Sequence, residues 1–274
     1  MQKYALLGWP VGHSRSPRMQ LAGFQALGIQ ATYECLAIPP GEFPEQVAAL
    51  PARGFVGWNV TVPHKERMYA ACHEVAGEEA RAARSVNTVV VREGRTYGYS
   101  TDGIGVARAL EHDFGFREAP ARQLYLGAGG AAQAAAMYAA RHGAREIYLA
   151  NRTLEKAREL AERIRQNAPG CQVHALPLDQ APQAVSACDI LFQCTSLGLH
   201  QGDPMPIPPD AIPPDLPVFD FVYTPSAFRN ALQAKGNPVC DGREMLLQQG
   251  MESFRLWTGQ EAPEADMRRG LDSY

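Results

Sequence analysis

The chain has 274 residues, a net charge of −3, 46% hydrophobic residues and 20% charged residues. This composition excludes a disordered chain, and without a basic block nothing is offered to nucleic acid or to an anionic membrane surface. No apolar run has the length of a membrane span, and the N-terminus enters a strand pattern with no signal-peptide pattern before it. Six cysteines (Cys35, Cys72, Cys171, Cys188, Cys194, Cys240) include no C-x-x-C pair. Reduced thiols, a cytoplasmic location and no metal site are the expectations.

Strand and helix patterns alternate from the start. Tyr4–Leu7 reads as a strand, and Ser16–Leu27 as a helix with Ser16 as N-cap and Pro17 at its first position. A second strand is expected over Thr32–Ile38, a helix over Glu42–Leu50, a third strand over Gly54–Val60 and a helix from near Pro63. Val86–Arg92 and Arg95–Tyr99 flank Glu93-Gly94, a two-residue hairpin turn. Thr101 or Asp102 can cap a helix running to about Phe114. A second alternating series follows, with strands near 124–126, 145–150, 172–176, 189–193 and 217–221. That repetition predicts a parallel, doubly wound sheet. Seven prolines between 204 and 217 predict a loop ordered against the surface. A last long helix is expected over Glu244–Trp257.

The stretch Leu124-Tyr125-Leu126-Gly127-Ala128-Gly129-Gly130-Ala131-Ala132 runs from a strand through a glycine turn into an alanine-rich helix. Gly127 permits a tight turn, Gly129 lets backbone approach a phosphate, and Ala132 is small enough for the helix to pack on the strand. The helix N-terminus then offers N–H groups to an anion, as in a dinucleotide pyrophosphate site. The next strand ends in Asn151-Arg152-Thr153. A carboxylate at this place would bond ribose hydroxyls and repel a 2′-phosphate. A neutral residue followed by arginine favours NADP(H), with Arg152 as the phosphate clamp and Lys156 as a helper. The competing reading of Arg152 is a solvated surface charge.

In the first half, polar residues fall at strand ends and helix starts. Ser14 and Ser16 are two positions apart before a helix, and capping accounts for Ser16 better than for Ser14. Thr61 and Lys65 follow the third strand. A lysine in the first turn of a helix opposes the helix dipole and requires an anionic partner or a specific task. Asn87 is an amide that must bond something. Asp102 is either a plain N-cap or a site carboxylate. His13 and His64 serve local structure or face solvent.

Together these residues resemble the shikimate dehydrogenase family over nearly the whole chain. The shared motifs are Gly12-His13-Ser14-x-Ser16-Pro17, Asn59-Val60-Thr61-Val62-Pro63-His64-Lys65, Val86-Asn87-Thr88 and Thr101-Asp102-Gly103. They continue as Gly127-Ala128-Gly129-Gly130-Ala131, Asn151-Arg152-Thr153, Asp220-x-x-Tyr223-x-Pro225 and Met245-Leu246-x-x-Gln249, with Phe254 and Trp257-x-Gly259. The resemblance implies an α/β protein of two domains. One is a substrate domain with a mixed sheet, 1–103 completed by a C-terminal helix in 241–274. The other is a Rossmann-like NADP-binding domain, 104–240.

It further implies that Lys65 and Asp102 form a catalytic pair, and that Ser14, Ser16, Thr61, Asn87, Tyr223 and Gln249 join them in holding the substrate. Gly127, Ala128, Gly129, Gly130, Ala131, Asn151, Arg152, Thr153, Lys156, Thr195, Phe221, Gly242 and Glu78 would lie at the cofactor. The implied reaction is NADPH-dependent reduction of 3-dehydroshikimate to shikimate, in a monomer or homodimer. Departures stand at Met19 and Gln20, where the family has His-Asn, at Ser100, where it has Asn, and at Gln193-Cys194, where it has Asn-Ala. The alternatives are a quinate or dual quinate/shikimate dehydrogenase, and a non-catalytic NADP(H)-binding regulatory protein.

Overall fold

The computed structural model describes every residue except Gln201, Tyr223 and Tyr274. The chain begins β1 (Gln2–Gly8), α1 (Ser16–Ala26), β2 (Ala31–Ala37), α2 (Phe43–Ala49), β3 (Phe55–Val60), α3 (Lys65–Ala71), β4 (Glu74–Val75) and α4 (Glu78–Ala83). It continues through β5 (Thr88–Arg92), β6 (Arg95–Tyr99) and α5 (Asp102–Phe114). The second alternating series is β7 (Arg122–Leu126), α6 (Gly130–Arg141), β8 (Glu146–Asn151), α7 (Leu154–Asn167), β9 (Gln172–Pro177) and α8 (Ala181–Ala184). It ends with β10 (Ile190–Gln193), β11 (Val218–Asp220), α9 (Ala227–Lys235) and β12 (Val239–Asp241), and the chain then forms α10 (Arg243–Thr258) and α11 (Glu264–Asp272). Two compact units result, Met1–Gly105 with Leu246–Tyr274, and Val106–Met245.

The sheet of the first unit has the order β2-β1-β3-β5-β6-β4. β1 is parallel to β2 and β3, the β5–β6 hairpin runs antiparallel to β3, and β4 closes the edge parallel to β6. Glu93 and Gly94 turn the hairpin with φ of 52° and 73°, the left-handed pair that such a turn needs. Strand alternation divides the core in two. Tyr4 and Leu6 of β1 face Met19, Phe24, Leu247, Phe254, Met267 and Leu271 from α1, α10 and α11. Ala5 and Leu7 face Phe43, Val47, Leu50, Trp58, Met68 and Val89. Because it is covered on both faces, β1 reads as one apolar run.

The sheet of the second unit is parallel throughout, in the order β12-β11-β10-β7-β8-β9. The order in which successive strands are added reverses between β7 and β10, the point at which open α/β sheets bind ligands. The proline-rich loop does more than lie on this unit. It contributes Ile207, Ile212 and Leu216 to the buried core. Prolines lack N–H groups but keep their carbonyls, and those acceptors are used. Lys235 Nζ donates to the carbonyls of Pro209 and Ile212, and Asn237 Nδ2 to those of Pro213 and Leu216.

Ser16 does not cap α1. The residue before the helix is Arg15, whose side chain makes no capping bond, and Ser16 is the first helical residue. Ser14 supplies the missing acceptor, its Oγ taking the Ser16 N–H at 3.2 Å. The strand and helix patterns read from the sequence do not include five elements: β4, α4, α9, β12 and α11. Two of them, β4 and β12, have two and three residues, too few for a periodicity to register.

Candidate active site

The polar residues of the first half converge where β3, β5, α3 and α5 meet. Lys65 opens α3 and Asp102 opens α5. Lys65 Nζ lies 2.6 Å from Asp102 Oδ2, with side-chain exposures of 13% and 5%. The carboxylate is favourably placed at a helix N-terminus and the ammonium unfavourably, so each offsets the other's field. Asn87 Nδ2 donates to the second oxygen, Asp102 Oδ1, at 2.9 Å. It also lies 2.9 Å from Thr101 Oγ1 and 3.3 Å from Gln249 Oε1. Asn87 Oδ1 accepts the Thr101 N–H at 2.8 Å. Gln249 is brought in by α10, its Nε2 donating to the Leu246 carbonyl at 2.8 Å.

The hydroxyls are held by main chain. Ser14 N–H donates to the Val11 carbonyl at 3.1 Å, and its Oγ reaches Ser16 Oγ at 3.2 Å. Thr61 N–H donates to the Leu7 carbonyl at 2.8 Å, tying the end of β3 to the end of β1. His64, immediately before Lys65, is fully buried and stacked on Phe43 with ring centroids 4.4 Å apart. Its Nε2 lies 2.7 Å from the Ile38 carbonyl, which can only accept, so Nε2 carries the proton. Burial lowers its pKa. His13 is exposed.

The glycine turn of the second unit sits at the sheet's reversal point. Gly127 has φ +104°, and a Cβ there would stand 3.2 Å from the Cys194 main chain after β10. Only glycine suits both demands. Its N–H donates to the Ala150 carbonyl at 2.7 Å. Asn151 Oδ1 accepts the Ala128 N–H at 3.2 Å, while Asn151 Nδ2 donates to the Thr153 carbonyl at 2.8 Å. Asn151 therefore joins the glycine turn to the end of β8. Arg152, Thr153 and Lys156 are exposed beside it.

The N-cap of α6 is Gly129, which has no side chain to bond the helix start, and a Cβ there would meet nothing within 4 Å. Ala132 is fully buried against the sheet. An uncapped helix N-terminus, an open backbone face and an arginine in place of a carboxylate partner fit a phosphorylated dinucleotide. These residues would hold its phosphates.

Thr195 donates its N–H and hydroxyl to Gln193 Oε1 at 2.9 and 2.8 Å. Gln193 Nε2 donates to the Leu197 carbonyl at 2.9 Å, so the departure at 193 organises the loop after β10. Phe221 N–H donates to the Gln193 carbonyl at 3.0 Å, and a Cβ on Gly242 would stand 2.7 Å from the Phe221 carbonyl oxygen. Ala128 is buried, and Gly130 and Ala131 are half-buried at the start of α6. Glu78 is exposed at the first position of α4, in the first unit. Tyr223 lies outside the described residues.

Asp220 is buried, and desolvation raises its pKa to about 6 despite the Val222 N–H, Arg229 and Ser226. All six cysteines are free thiols, and burial pushes those of Cys72 and Cys188 up to about 12. Among the described residues no group of His, Cys, Asp and Glu could hold a metal, and no helix is long and apolar enough to cross a membrane.

Asn59, Thr88, Thr101 and Ser253 also enter the cluster around Asn87, and none was singled out as a site residue from the sequence. Asn59, Thr88 and Thr101 stood inside motifs, so their signal was present. Ser253, in mid-helix, has no local signal.

Three family models match in order along the chain. They are the shikimate dehydrogenase substrate binding domain over residues 6–89, shikimate / quinate 5-dehydrogenase over 111–200, and the shikimate 5′-dehydrogenase C-terminal domain over 242–269. A shikimate dehydrogenase (NADP(+)) of Rubrobacter xylanophilus is 41% identical over 270 residues, covering 97% of this chain and 94% of the relative. The crystal structure of shikimate dehydrogenase from Aquifex aeolicus superposes with a TM-score of 0.90 at 33% identity, covering 100% and 98% of the two chains. That of shikimate 5-dehydrogenase from Thermus thermophilus, in complex with NADP(H) and shikimate, gives 0.85 at 33% identity, covering 99% and 98%. With this likeness running from one end to the other, through both the Lys65–Asp102 pair and the glycine turn, the chain belongs to the shikimate dehydrogenase family.

Proposed function

We propose that the chain catalyses the reversible, NADPH-dependent reduction of 3-dehydroshikimate to shikimate, a step of chorismate and aromatic amino acid biosynthesis. The observation that carries the reading is the 2.6 Å contact of Lys65 Nζ with Asp102 Oδ2, nearly closed to solvent and bounded by amides and hydroxyls. Such a pair is suited to moving one proton at an alcohol oxygen. In this reading residues 1–103 and 241–274 form the substrate domain and 104–240 the cofactor domain. The enzyme works in the cytoplasm as a monomer or homodimer.

NADP(H), when bound, gives or takes the hydride at the carbinol carbon. Lys65 gives its proton to the carbonyl oxygen during reduction and takes the hydroxyl proton during oxidation. Asp102 accepts a hydrogen bond and orients both the lysine and the hydroxyl. Asn87 holds the other Asp102 oxygen, so the carboxylate presents a fixed edge. Ser14, Ser16, Thr61, Asn87, Tyr223 and Gln249 hold the remaining hydroxyls and the carboxylate of the substrate. On the cofactor side, Gly127 to Ala131 meet the pyrophosphate, and Asn151, Arg152, Thr153 and Lys156 meet the adenosine ribose and its 2′-phosphate. Thr195, Phe221, Gly242 and Glu78 complete that set.

The test is a steady-state assay following NADPH absorbance with shikimate and quinate, each with NADP⁺ and NAD⁺. Turnover of shikimate with NADP⁺ well above the other three combinations is the expected result. Preference for quinate would move the activity to the alternative substrate. NADP(H) binding without turnover of either acid would overturn the enzymatic reading in favour of a regulatory one.

A further inference from the structure

The polar cluster does not end at the groups that would touch substrate. It continues inward through side chains that solvent does not reach. We propose that Ser253 is a positioning residue: from α10 it sets, through Thr88 and Thr101, the Asn87 amide that holds Asp102 against Lys65. This rests on the reading of Lys65 and Asp102 as the reacting pair.

Two main-chain groups fix the directions of the bonds. The Thr101 N–H can only donate, so the Asn87 oxygen must face it at 2.8 Å and the Asn87 NH₂ must face Asp102. The Asn87 carbonyl can only accept, so Asn59 Nδ2 faces it at 3.1 Å. Asn59 Oδ1 then takes the Tyr33 hydroxyl proton at 2.8 Å. Neither amide can flip without setting like against like.

Between the two amides stand the hydroxyls of Thr88, Thr101 and Ser253. Ser253 is fully buried. Its Oγ lies 3.0 Å from the Gln249 carbonyl, 2.7 Å from Thr88 Oγ1, 3.0 Å from Asn59 Nδ2 and 3.3 Å from Thr101 Oγ1. Ser253 gives its single proton to the Gln249 carbonyl and so accepts from Thr88. The Thr88 hydroxyl also has Asn87 Oδ1 in reach at 3.1 Å, but Ser253 Oγ at 2.7 Å is the nearer acceptor, and Asn87 Oδ1 keeps the Thr101 N–H at 2.8 Å with Thr101 Oγ1 at 3.3 Å. Without Ser253, the Thr88 proton turns to Asn87 Oδ1 and draws the amide towards β5. The NH₂ group then loses its alignment on Asp102. Ser253 also stands one helical turn beyond Gln249 and fastens that stretch of α10 to β3 and β5.

The experiment compares the full chain with Ser253→Ala, Thr88→Val and the double variant. Steady-state kinetics are paired with the rate at which acetic anhydride modifies Lys65, read by peptide mass spectrometry with Lys156 as internal reference. For Ser253→Ala, kcat/KM for shikimate should fall about tenfold, the KM for NADP⁺ should stay within about twofold, and Lys65 should be modified about threefold faster. Thr88→Val removes the proton that turns to Asn87 Oδ1, so it should leave kcat/KM and the Lys65 rate within about twofold of wild type, and in the double variant the Ser253→Ala loss should be largely recovered.

A purely structural serine would lower the melting temperature and leave kcat/KM per folded molecule and the Lys65 rate unchanged, which overturns the proposal. A double variant as impaired as Ser253→Ala, or more so, would also overturn it. If Ser253→Ala does not fold, Ser253→Cys, whose thiol is a weak hydrogen-bonding group, carries the same expectations. If the wild-type chain fails to turn over shikimate, the activity reading falls by itself, and the Lys65 rates still decide the role of Ser253.

Discussion

The two units contain sites of opposite construction. In the first, the groups that matter are side chains, removed from water and bonded to one another: Lys65 to Asp102, Asp102 to Asn87, Asn87 to Thr101. In the second, the frame is backbone, a glycine turn and an uncapped helix start, with Arg152 and Lys156 exposed beside it. A buried side-chain site is stiff, and loses most when one member is removed, because the remaining charges have no water to turn to. A backbone site tolerates changes around it, and loses most when a residue acquires a Cβ.

That contrast can be broken most sharply at Lys65. Lys65→Met should lower kcat by about three orders of magnitude while shikimate affinity, measured by calorimetry, changes by only a few-fold. A near-normal kcat would remove the lysine from the chemistry. Arg152→Ala should raise the KM for NADP⁺ by about 30-fold with kcat unchanged, since one charge-assisted contact is lost. The same variant should leave NAD⁺ kinetics where they were, and an equal effect on both cofactors would contradict the clamp.

Gly127→Ala should weaken NADP(H) binding by about tenfold in a fluorescence titration, because alanine at φ +104° is strained by about 2 kcal/mol. Unchanged affinity would mean that the turn is not held as tightly as its contact with Cys194 requires.

The smallest effect concerns Asp220. Its pKa in the folded protein is about 6, above the ordinary carboxylate value of 3.8. Between these values the folded state binds the proton and the unfolded chain does not. This group therefore adds stability as pH falls through 6 towards 4, and withdraws it as pH rises. Asp220→Asn should be more stable than the parent at pH 8 by about 1 kcal/mol, after allowing for weaker bonds to Val222 and Ser226, with the difference shrinking towards pH 4. Urea titrations of both proteins across that range provide the check, and a gap that widens on acidification would reverse the assignment.

What could be read from the sequence follows the same division. The glycine turn was legible because a backbone requirement leaves a residue-type signature: no residue but glycine suits Gly127. Lys65 was legible because a cation at a helix start is locally wrong and so demands a partner from elsewhere. The alternation of strands gave both sheets, apart from pieces as short as β4 and β12. α9 could have been found, since Ser226 caps it and Gly236 closes it in the left-handed conformation.

Ser253 was not legible: it sits in mid-helix, where serine is ordinary, while Thr88 and Thr101 stood inside motifs whose inward bonds appear only when residues 59, 88, 101 and 253 are brought together. The placing of Ser16 failed for a similar reason. Two serines competed for one cap, and neither occupies it: the helix starts at Ser16 while Ser14 bonds its N–H from outside.

The return of residues 246–274 to the first unit has a consequence for synthesis on the ribosome. Val106–Met245 is contiguous, so it can form its core without residues 246–274. The first unit cannot. Tyr4 and Phe24 are made early but wait for Phe254, Met267 and Leu271 to cover them. Asn87 is likewise translated long before Gln249 and Ser253, the partners that complete its surroundings. The nascent chain thus carries an open apolar face and an unfinished polar cluster until α10 and α11 emerge. The polar cluster around Asn87 is complete only after α10 is translated, whereas every residue of the glycine turn is made well before.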